Sequence, residues 1–145
     1  MQKVKVGIAK CNSVEESLRK AVELAGGLNF IKNAHSVLIK PNANTADVHP
    51  GSTSTEFLRQ SIRIVKEKTS NVVVGEKSMA SLHTINVLKQ TGMYDAAVNE
   101  DARIVSFDDS AWKRITHKGL KAWPYGFSVP KMLDDVDHYI HLCIA

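Results

Sequence analysis

The fold is decided by one stretch, Ser36-Val37-Leu38-Ile39-Lys40-Pro41, in which a short apolar run ends at a lysine and a proline. An unbroken apolar run of this kind is typical of a strand that is covered on both faces of a sheet. Pro41 has no backbone N–H to give to a neighbouring strand, so the strand must end before it or lie at an edge. The stretch therefore predicts a strand whose carboxyl end carries Lys40.

Runs of the same kind recur along the chain and alternate with amphipathic stretches. Apolar residues at every third or fourth position mark the amphipathic stretches as helices. The pattern predicts strands at 4–9, 36–40, 71–75, 103–107 and 139–144, and helices at 14–25, 55–68, 81–90 and 94–99. Strands and helices that alternate at this spacing predict an α/β fold, with a mostly parallel sheet, helices on both faces and right-handed crossovers.

The pattern changes around residues 112–129. Polar and apolar residues there alternate one by one on either side of Lys118-Gly119, which predicts a small antiparallel insertion. Trp112, Trp123 and Tyr125 fall in this insertion. We expect these rings to pack against the domain rather than to form a platform for nucleic-acid bases.

The composition excludes whole classes of protein. With 145 residues, of which 43% are hydrophobic, the chain can form one core, so we expect a single domain over residues 1–145 and not a disordered chain. Since the last predicted strand runs to the end of the sequence, we favour the interpretation that this domain is the N-terminal part of a longer protein over the alternative of a small complete protein. No uncharged run approaches the roughly 18 residues that a membrane-spanning helix needs, and the first residues lack the apolar core of a signal peptide. We therefore expect a cytoplasmic protein without a membrane partner.

The charge of the chain is slightly positive, with 19 Lys and Arg against 15 Asp and Glu and a formal net charge of +4. The densest basic stretch holds Arg59, Arg63, Lys66 and Lys68, with Phe57 as an aromatic neighbour. A nucleic-acid surface usually combines basic residues with several aromatic rings. We interpret the stretch as the solvated face of a helix, and nucleic-acid binding by this helix is the last of three functional hypotheses.

The chain has two cysteines, Cys11 and Cys143, which lie far apart in the sequence. A disulfide is not expected in the reducing cytosol, and the common iron–sulfur clusters need four thiolates. His141 and Cys143 alternate onto one face of the last predicted strand, but a metal site there lacks a third and fourth ligand. We therefore expect no metal and no cofactor in this chain.

The most polar strand end is the segment that follows the strand at 36–40. Ligands of open α/β sheets bind outside the carboxyl ends of the strands, and the candidate ligand-binding residues of this segment are Lys40, Asn42, Asn44, Ser52 and Thr53. Unpaired backbone N–H groups at the start of the next helix favour an anion, to which lysine adds a charge and the amides and hydroxyls add donors. The alternative is that the hydroxyls only cap the helix, with Thr53 and Glu56 as a capping box.

Charged residues also follow the next two predicted strands. Glu76 and Lys77 directly follow the strand at 71–75, and they form either a proton-transfer pair or a surface ion pair. Asp108 and Asp109 directly follow the strand at 103–107, where they either hold a ligand or form a turn. Asp108 therefore joins the candidate ligand-binding residues, and the candidate catalytic residues are Lys40, Glu76 and Lys77.

Several motifs taken together resemble a known family. They include Val37-Leu38-Ile39-Lys40-Pro41-Asn42, then Pro50-Gly51-Ser52-Thr53 at the start of a helix, then Val72-Val73-Val74-Gly75-Glu76. With Leu88-Lys89-Gln90-Thr91-Gly92 and Phe127-Ser128-Val129-Pro130-Lys131-Met132-Leu133, they resemble the uncharacterised family called domain of unknown function 362. The resemblance covers nearly the whole chain.

The resemblance implies an uncharacterised α/β domain. Longer members of the family often carry a cysteine-rich 4Fe–4S segment, and their last strand continues into a Pro-Lys-x-Lys-x-His segment that this sequence does not contain. The first functional hypothesis is that the chain binds an anionic small molecule, as part of an iron–sulfur redox protein in longer members. The second is a non-catalytic interaction domain, completed along its last strand by a partner or by a second copy in a homo-oligomer.

Overall fold

The computed structural model describes residues 4–144 of the chain. Its elements in chain order are α1 (Val14–Ala25), β1 (Val37–Lys40), α2 (Thr55–Lys66), β2 (Val72–Glu76), α3 (Thr84–Gln90), α4 (Met93–Asn99), β3 (Arg103–Ser106), β4 (Trp112–Ile115), β5 (Phe127–Pro130), a 3₁₀ helix (Lys131–Asp134) and β6 (His138–His141). Within the described range, every helix is too short or too polar to span a membrane.

The central sheet has four parallel strands in the order β3-β2-β1-β6. Strand β1 lies between two neighbours, with Leu38 opposite Val73 on one side and Tyr139 on the other. Helices connect β1 to β2 and β2 to β3, because parallel neighbours need a crossover. Strands β4 and β5 form a separate antiparallel hairpin. The predicted α/β fold, with a mostly parallel sheet and a small antiparallel insertion, is confirmed.

The two faces of the sheet carry separate parts of the core. Val37 and Ile39 are fully buried on one face, against side chains of α2, α3 and α4. Leu38 points to the other face and packs with Val73 and Phe107 beside residues of the 3₁₀ helix. Each apolar side chain buried in this way contributes about 1.5–3 kcal/mol through the hydrophobic effect. The unbroken apolar run of β1 is thus explained by a strand that is covered on both faces.

Helix α2 begins at a different cap from the one the sequence predicts. Ser54 is the N-cap residue, and its hydroxyl accepts a hydrogen bond of 3.1 Å from the N–H of Phe57. The side chain of Glu56 bonds to Arg59 and Gln60. The predicted capping box of Thr53 and Glu56 is therefore wrong.

The predicted strand at 4–9 does not form. Val4, Val6 and Ile8 alternate as strand residues do, yet they are 87%, 77% and 85% exposed. Gly7 lies so close to α1 that a Cβ atom at this position would fall 1.9 Å from the carbonyl oxygen of Ala21. Gly7 therefore packs against the backbone of α1, and residues 4–9 belong to neither sheet.

The aromatic rings of the hairpin are not packed in the interior. Trp112 is 42% exposed, Trp123 58% and Tyr125 81%. The two strands of the hairpin pair with each other and form a ribbon apart from the central sheet, so no second layer covers these rings. Trp112 still contacts the domain, since its indole N–H donates to the carbonyl oxygen of Phe107 at 3.2 Å. For Trp123 and Tyr125, the prediction that they pack against the domain is wrong.

Candidate functional site

The carboxyl ends of the four parallel strands lie together at one edge of the sheet, which we call the carboxyl edge. It is formed by Lys40, Glu76, Ser106 and His141, the last residues of β1, β2, β3 and β6. In the strand register Lys40 lies opposite His141, and Glu76 lies opposite Ser106. The polar strand ends seen in the sequence are therefore neighbours in the fold.

A buried ion pair joins β1 to β2 at the carboxyl edge. The ammonium nitrogen of Lys40 lies 2.5 Å from Oε1 of Glu76. The side chain of Glu76 is 1% exposed and that of Lys40 is 24% exposed. The backbone N–H groups of Ala43 and Lys77 donate to the same carboxylate, at 3.2 and 2.7 Å. These contacts fix the carboxylate in the interior and hold Lys40 between it and solvent.

A second ion pair joins the end of β2 to the end of β3. Lys77 Nζ lies 2.6 Å from Oδ1 of Asp108, and the backbone N–H of Thr84 donates to Oδ2 at 2.7 Å. Burial opposes the ionisation of Asp108, but the hydrogen bonds from Lys77 and Thr84 outweigh it and hold the pKa of this carboxyl well below its ordinary value. Glu76 and Lys77, adjacent in sequence, thus each pair with a residue of a neighbouring strand end.

The loop 41–54 is anchored to the end of β6 by Thr53. The hydroxyl of Thr53 accepts a hydrogen bond of 2.8 Å from the N–H of Asn42 and donates one of 3.1 Å to the carbonyl oxygen of Leu142. Ser52 is completely buried, and its hydroxyl donates to the carbonyl oxygen of Thr45 at 3.4 Å. Both hydroxyls therefore hold the loop in its shape.

The two asparagines of loop 41–54 differ in exposure. Asn42 is half-buried, and its side-chain amide donates to the carbonyl oxygen of Gly51 at 3.4 Å. Asn44 is exposed, and its backbone carbonyl oxygen accepts a hydrogen bond of 3.0 Å from the N–H of Met79. The exposed amide of Asn44 consequently lies beside the segment that follows β2.

A groove of about 370 Å³ opens beside loop 41–54 at the start of α2. Its lining residues are Val14, His49, Pro50, Thr53, Ser54, Phe57, Cys143 and Ile144. Of the residues predicted to bind a ligand, the groove includes Thr53. His49 was not predicted from the sequence as a site residue, although it stands just before Pro50-Gly51 in the most polar loop. Cys143 reaches the groove only because β6 lies next to β1.

Metal-ligating side chains do not converge in the described part of the chain. Among residues 4–144, no group of three or more His, Cys, Asp and Glu is placed to hold an ion. Cys11 and Cys143 are both exposed thiols, whereas a 4Fe–4S cluster is held by four thiolates. The cysteines of this chain therefore do not fit the cluster that the resemblance associates with longer members of the family.

The basic residues of α2 have partners on neighbouring elements. Arg63 donates two hydrogen bonds to Glu100, at 2.9 and 2.7 Å, and Arg59 approaches the same carboxylate. Lys66 donates to the carbonyl oxygen of Asp101. These contacts engage the charges within the domain, and they do not favour the hypothesis that this helix binds nucleic acid.

Comparison with known proteins connects most of the chain to a family. A family model described as a domain of unknown function, DUF362, matches residues 37–145. No curated protein and no solved structure gives a significant match. The matched range begins at the first residue of β1, and it contains loop 41–54, both ion pairs of the carboxyl edge and the hairpin.

Proposed function

The chain belongs to the DUF362 family, a domain of unknown function, and on that premise we propose that its carboxyl edge binds an anionic small molecule. The observation that carries the proposal is the contact between Lys40 and the buried carboxylate of Glu76. Ligands of open α/β sheets bind at this edge, and the Lys40 ammonium is partly exposed there.

Lys40 has the hydrogen-bonding capacity for a ligand. A lysine ammonium carries three N–H donors. One is directed to Glu76 at 2.5 Å and one to the carbonyl oxygen of Pro41 at 3.2 Å, which leaves the third for an oxygen of the ligand. Glu76 acts as a positioning residue, because it holds the ammonium at the boundary between the core and solvent.

Of the other predicted residues, some offer hydrogen-bond donors to the ligand and others stabilise the surrounding structure. We propose that the side-chain amides of Asn42 and Asn44, on the loop that follows Lys40, supply neutral donors to the ligand. The hydroxyls of Ser52 and Thr53 keep loop 41–54 in place through bonds to backbone carbonyl groups. Asp108 orients Lys77, which adds a second cation to the carboxyl edge.

The same groups are the catalytic candidates of the proposal. An ionisable side chain within hydrogen-bond reach of a bound substrate can exchange a proton with it. The side chains of Lys40 and Lys77 are 24% and 36% exposed at the carboxyl edge, and the buried carboxylate of Glu76 contacts Lys40 at 2.5 Å. We therefore propose proton transfer by the ammonium groups of Lys40 and Lys77, with Glu76 acting through Lys40.

Isothermal titration calorimetry tests the binding proposal, with inorganic phosphate and with a panel of phosphate- and carboxylate-bearing metabolites as probes. We expect binding of one of these anions to the wild-type chain. Lys40→Met should lose roughly tenfold or more in affinity, because it removes a charge-assisted hydrogen bond. Lys89→Met, at an exposed lysine of α3, is the matched control and should bind as the wild type does. Equal affinity in the two variants would remove Lys40 from the site.

We also propose, as a second candidate function, that β6 mediates assembly with another chain. Strand β6 lies at the edge of the sheet, and the N–H groups of His138 and Leu142 donate to residues at the start and end of β1. Alternate residues of a parallel strand direct their backbone groups to opposite sides, so Tyr139 and His141 present theirs outward. Light scattering tests the proposal with Tyr139→Lys, since lysine on an edge strand discourages pairing. A monomer at all concentrations of the wild-type chain would contradict it.

A further inference from the structure

The hairpin region carries positive charge without any negative charge. From Ser110 to Leu133 the sequence contains five Lys and Arg residues and no Asp or Glu. Two of the cations have partners, since Lys113 pairs with Asp134 and Arg114 donates to the carbonyl oxygen of Tyr125. The other three, Lys118, Lys121 and Lys131, are exposed and have no carboxylate partner among residues 4–144. The hairpin is therefore a local source of positive potential.

Exposed aromatic rings lie among these cations. Trp123 is 58% exposed and Tyr125 81%. Trp123 packs edge-on against Phe127, with their ring centroids 5.7 Å apart, which leaves much of both rings accessible. A patch of large aromatic side chains exposed on a protein surface often marks a binding site.

The hairpin holds these groups in a defined arrangement. Ile115 lies opposite Phe127 in the antiparallel register. Gly126 has a φ of +78°, and a Cβ atom there would fall 2.2 Å from the carbonyl oxygen of Ile115, so the turn into β5 requires glycine. The N–H of Gly126 also donates to the carbonyl oxygen of Trp123 at 2.8 Å. The connection between β4 and β5, residues 116–126, which we call the tip, thus has a defined turn and carries Trp123 and Tyr125 together with Lys118 and Lys121.

A shallow hollow gives the surface a concave part. It has a volume of about 320 Å³ and is lined by Thr116, His117, Lys118 and Pro124. Lys118 therefore lies at the wall of a recess on the same tip that carries Trp123 and Tyr125.

We propose that the β4–β5 hairpin, residues 112–131, binds single-stranded nucleic acid. Unpaired bases stack on aromatic rings whatever their sequence, and lysines contact the phosphates between them. A duplex keeps its bases stacked on one another, so it offers no base face to Trp123 or Tyr125. This surface differs from the basic helix α2, whose cations bond to residues of the domain, and it is separate from the anion site proposed at the carboxyl edge.

The chain offers a direct readout of this surface. Its two tryptophans, Trp112 and Trp123, both belong to the hairpin, so intrinsic tryptophan fluorescence reports on this part of the molecule. We would titrate the wild-type chain with a single-stranded oligouridylate, with an RNA duplex of the same length, and with vesicles of phosphatidylserine and phosphatidylcholine. We expect quenching by the single strand. The logarithm of its association constant should fall linearly with the logarithm of the salt concentration. We expect a slope of about −2, since each of the three lysines contributes about −0.7.

Variants separate the hairpin from the net charge of the chain. Lys118→Glu with Lys121→Glu should lower the affinity at least tenfold, and Trp123→Ala should lower it roughly tenfold by removing one stacking ring. Lys10→Glu with Lys89→Glu changes the net charge equally at exposed lysines outside the hairpin and should bind as the wild type does. Far-UV circular dichroism would confirm that all variants fold.

Three results would overturn the proposal. The first is the same loss of affinity in both double variants, which would mean that only net charge matters. The second is tighter binding to the duplex or to the vesicles than to the single strand. The third is no binding of the single strand at low salt.

Discussion

The ammonium of Lys40 and the carboxylate of Glu76 meet at 2.5 Å across the ends of two neighbouring parallel strands, with the carboxylate almost completely buried. A charge removed from water in this way costs several kcal/mol unless it is paired and hydrogen-bonded. Here the pairing cation is also the group that faces solvent. The contact therefore links the stability of the sheet to the properties of its carboxyl edge.

The first prediction concerns the loss of that cation. Lys40→Met should lower the free energy of unfolding by about 2–4 kcal/mol, somewhat less than for a fully buried pair because Lys40 is partly exposed. The double variant Lys40→Met with Glu76→Gln should be more stable than Lys40→Met alone, since it leaves no unpaired charge in the interior. Urea denaturation of the wild type, both single variants and the double variant measures the coupling. Additive effects in this cycle would contradict the pairing.

The second prediction concerns pH. The pKa of Asp108 is held below its ordinary value of 3.8 in the folded chain, so the unfolded chain binds a proton first as the pH falls. The stability that Asp108 contributes is therefore complete above the ordinary pKa and is lost as the pH falls through 3.8 toward the folded value. In Asp108→Asn, the free energy of unfolding should therefore change less with pH below 3.8 than in the wild type.

The control for Asp108 is its neighbour. Asp109 is exposed, so Asp109→Asn should keep the pH dependence of the wild type. Unfolding by urea at several pH values between 2.5 and 6, a range chosen on both sides of the ordinary carboxyl pKa of about 3.9, gives the comparison. Identical curves for Asp108→Asn and the wild type would contradict the role given to Lys77 and Thr84.

The third prediction distinguishes two adjacent hydroxyls. Thr53→Val should cost about 2 kcal/mol, because the N–H of Asn42 and the carbonyl oxygen of Leu142 lose a buried partner. Ser54→Ala should cost about 1 kcal/mol through the loss of a helix N-cap. Hydrogen exchange separates the two effects. Thr53→Val should expose the amide of Asn42, and Ser54→Ala should expose the first turn of α2; the reverse assignment would restore Thr53 as the cap.

The fourth prediction concerns the close contact of β2 with the core. A Cβ atom at Gly75 would fall 2.7 Å from the ring of Phe107 and 2.8 Å from Cδ1 of Leu38. Gly75→Ala should therefore destabilise the chain by about 1–3 kcal/mol through overpacking. Gly119→Ala, at an exposed loop position where the added atom approaches the His117 ring, should leave the thermal midpoint nearly unchanged. If the thermal midpoint of Gly75→Ala equalled that of the wild type, the prediction would be contradicted, because the core would have relaxed around the added methyl group.

The strands of the central sheet were predictable because they depend on local pattern. The runs Val37–Ile39 and Val72–Val74 are apolar without interruption, and Pro41 marks where the first one ends. A parallel sheet then places Lys40 and Glu76 at one edge without further information. The strand expected at 4–9 has an alternating apolar pattern but no strand partner, since Gly7 packs against α1.

The contacts of the carboxyl edge were not predictable in the same way. Glu76 and Lys77 are neighbours in sequence, yet each pairs across to another strand end, with Lys40 and with Asp108. Thr53 resembled a helix cap, yet its hydroxyl bonds to Leu142 of the last strand segment. The exposure of Trp123 was not predictable either, because it depends on the hairpin standing apart from the central sheet, so that no other element covers the connection between β4 and β5.

The sequence by itself determined most of the segments that become strands and helices, with the segment 4–9 as an exception, and it determined that the polar ends of the parallel strands share one edge. The reason is that periodicity, glycine and proline act on the backbone within a few residues. The tertiary structure alone decided which charged side chains form ion pairs, which hydroxyls hydrogen-bond to the backbone, and which aromatic rings stay exposed. Those outcomes depend on strand order and register, which bring residues far apart in the chain to within hydrogen-bond distance.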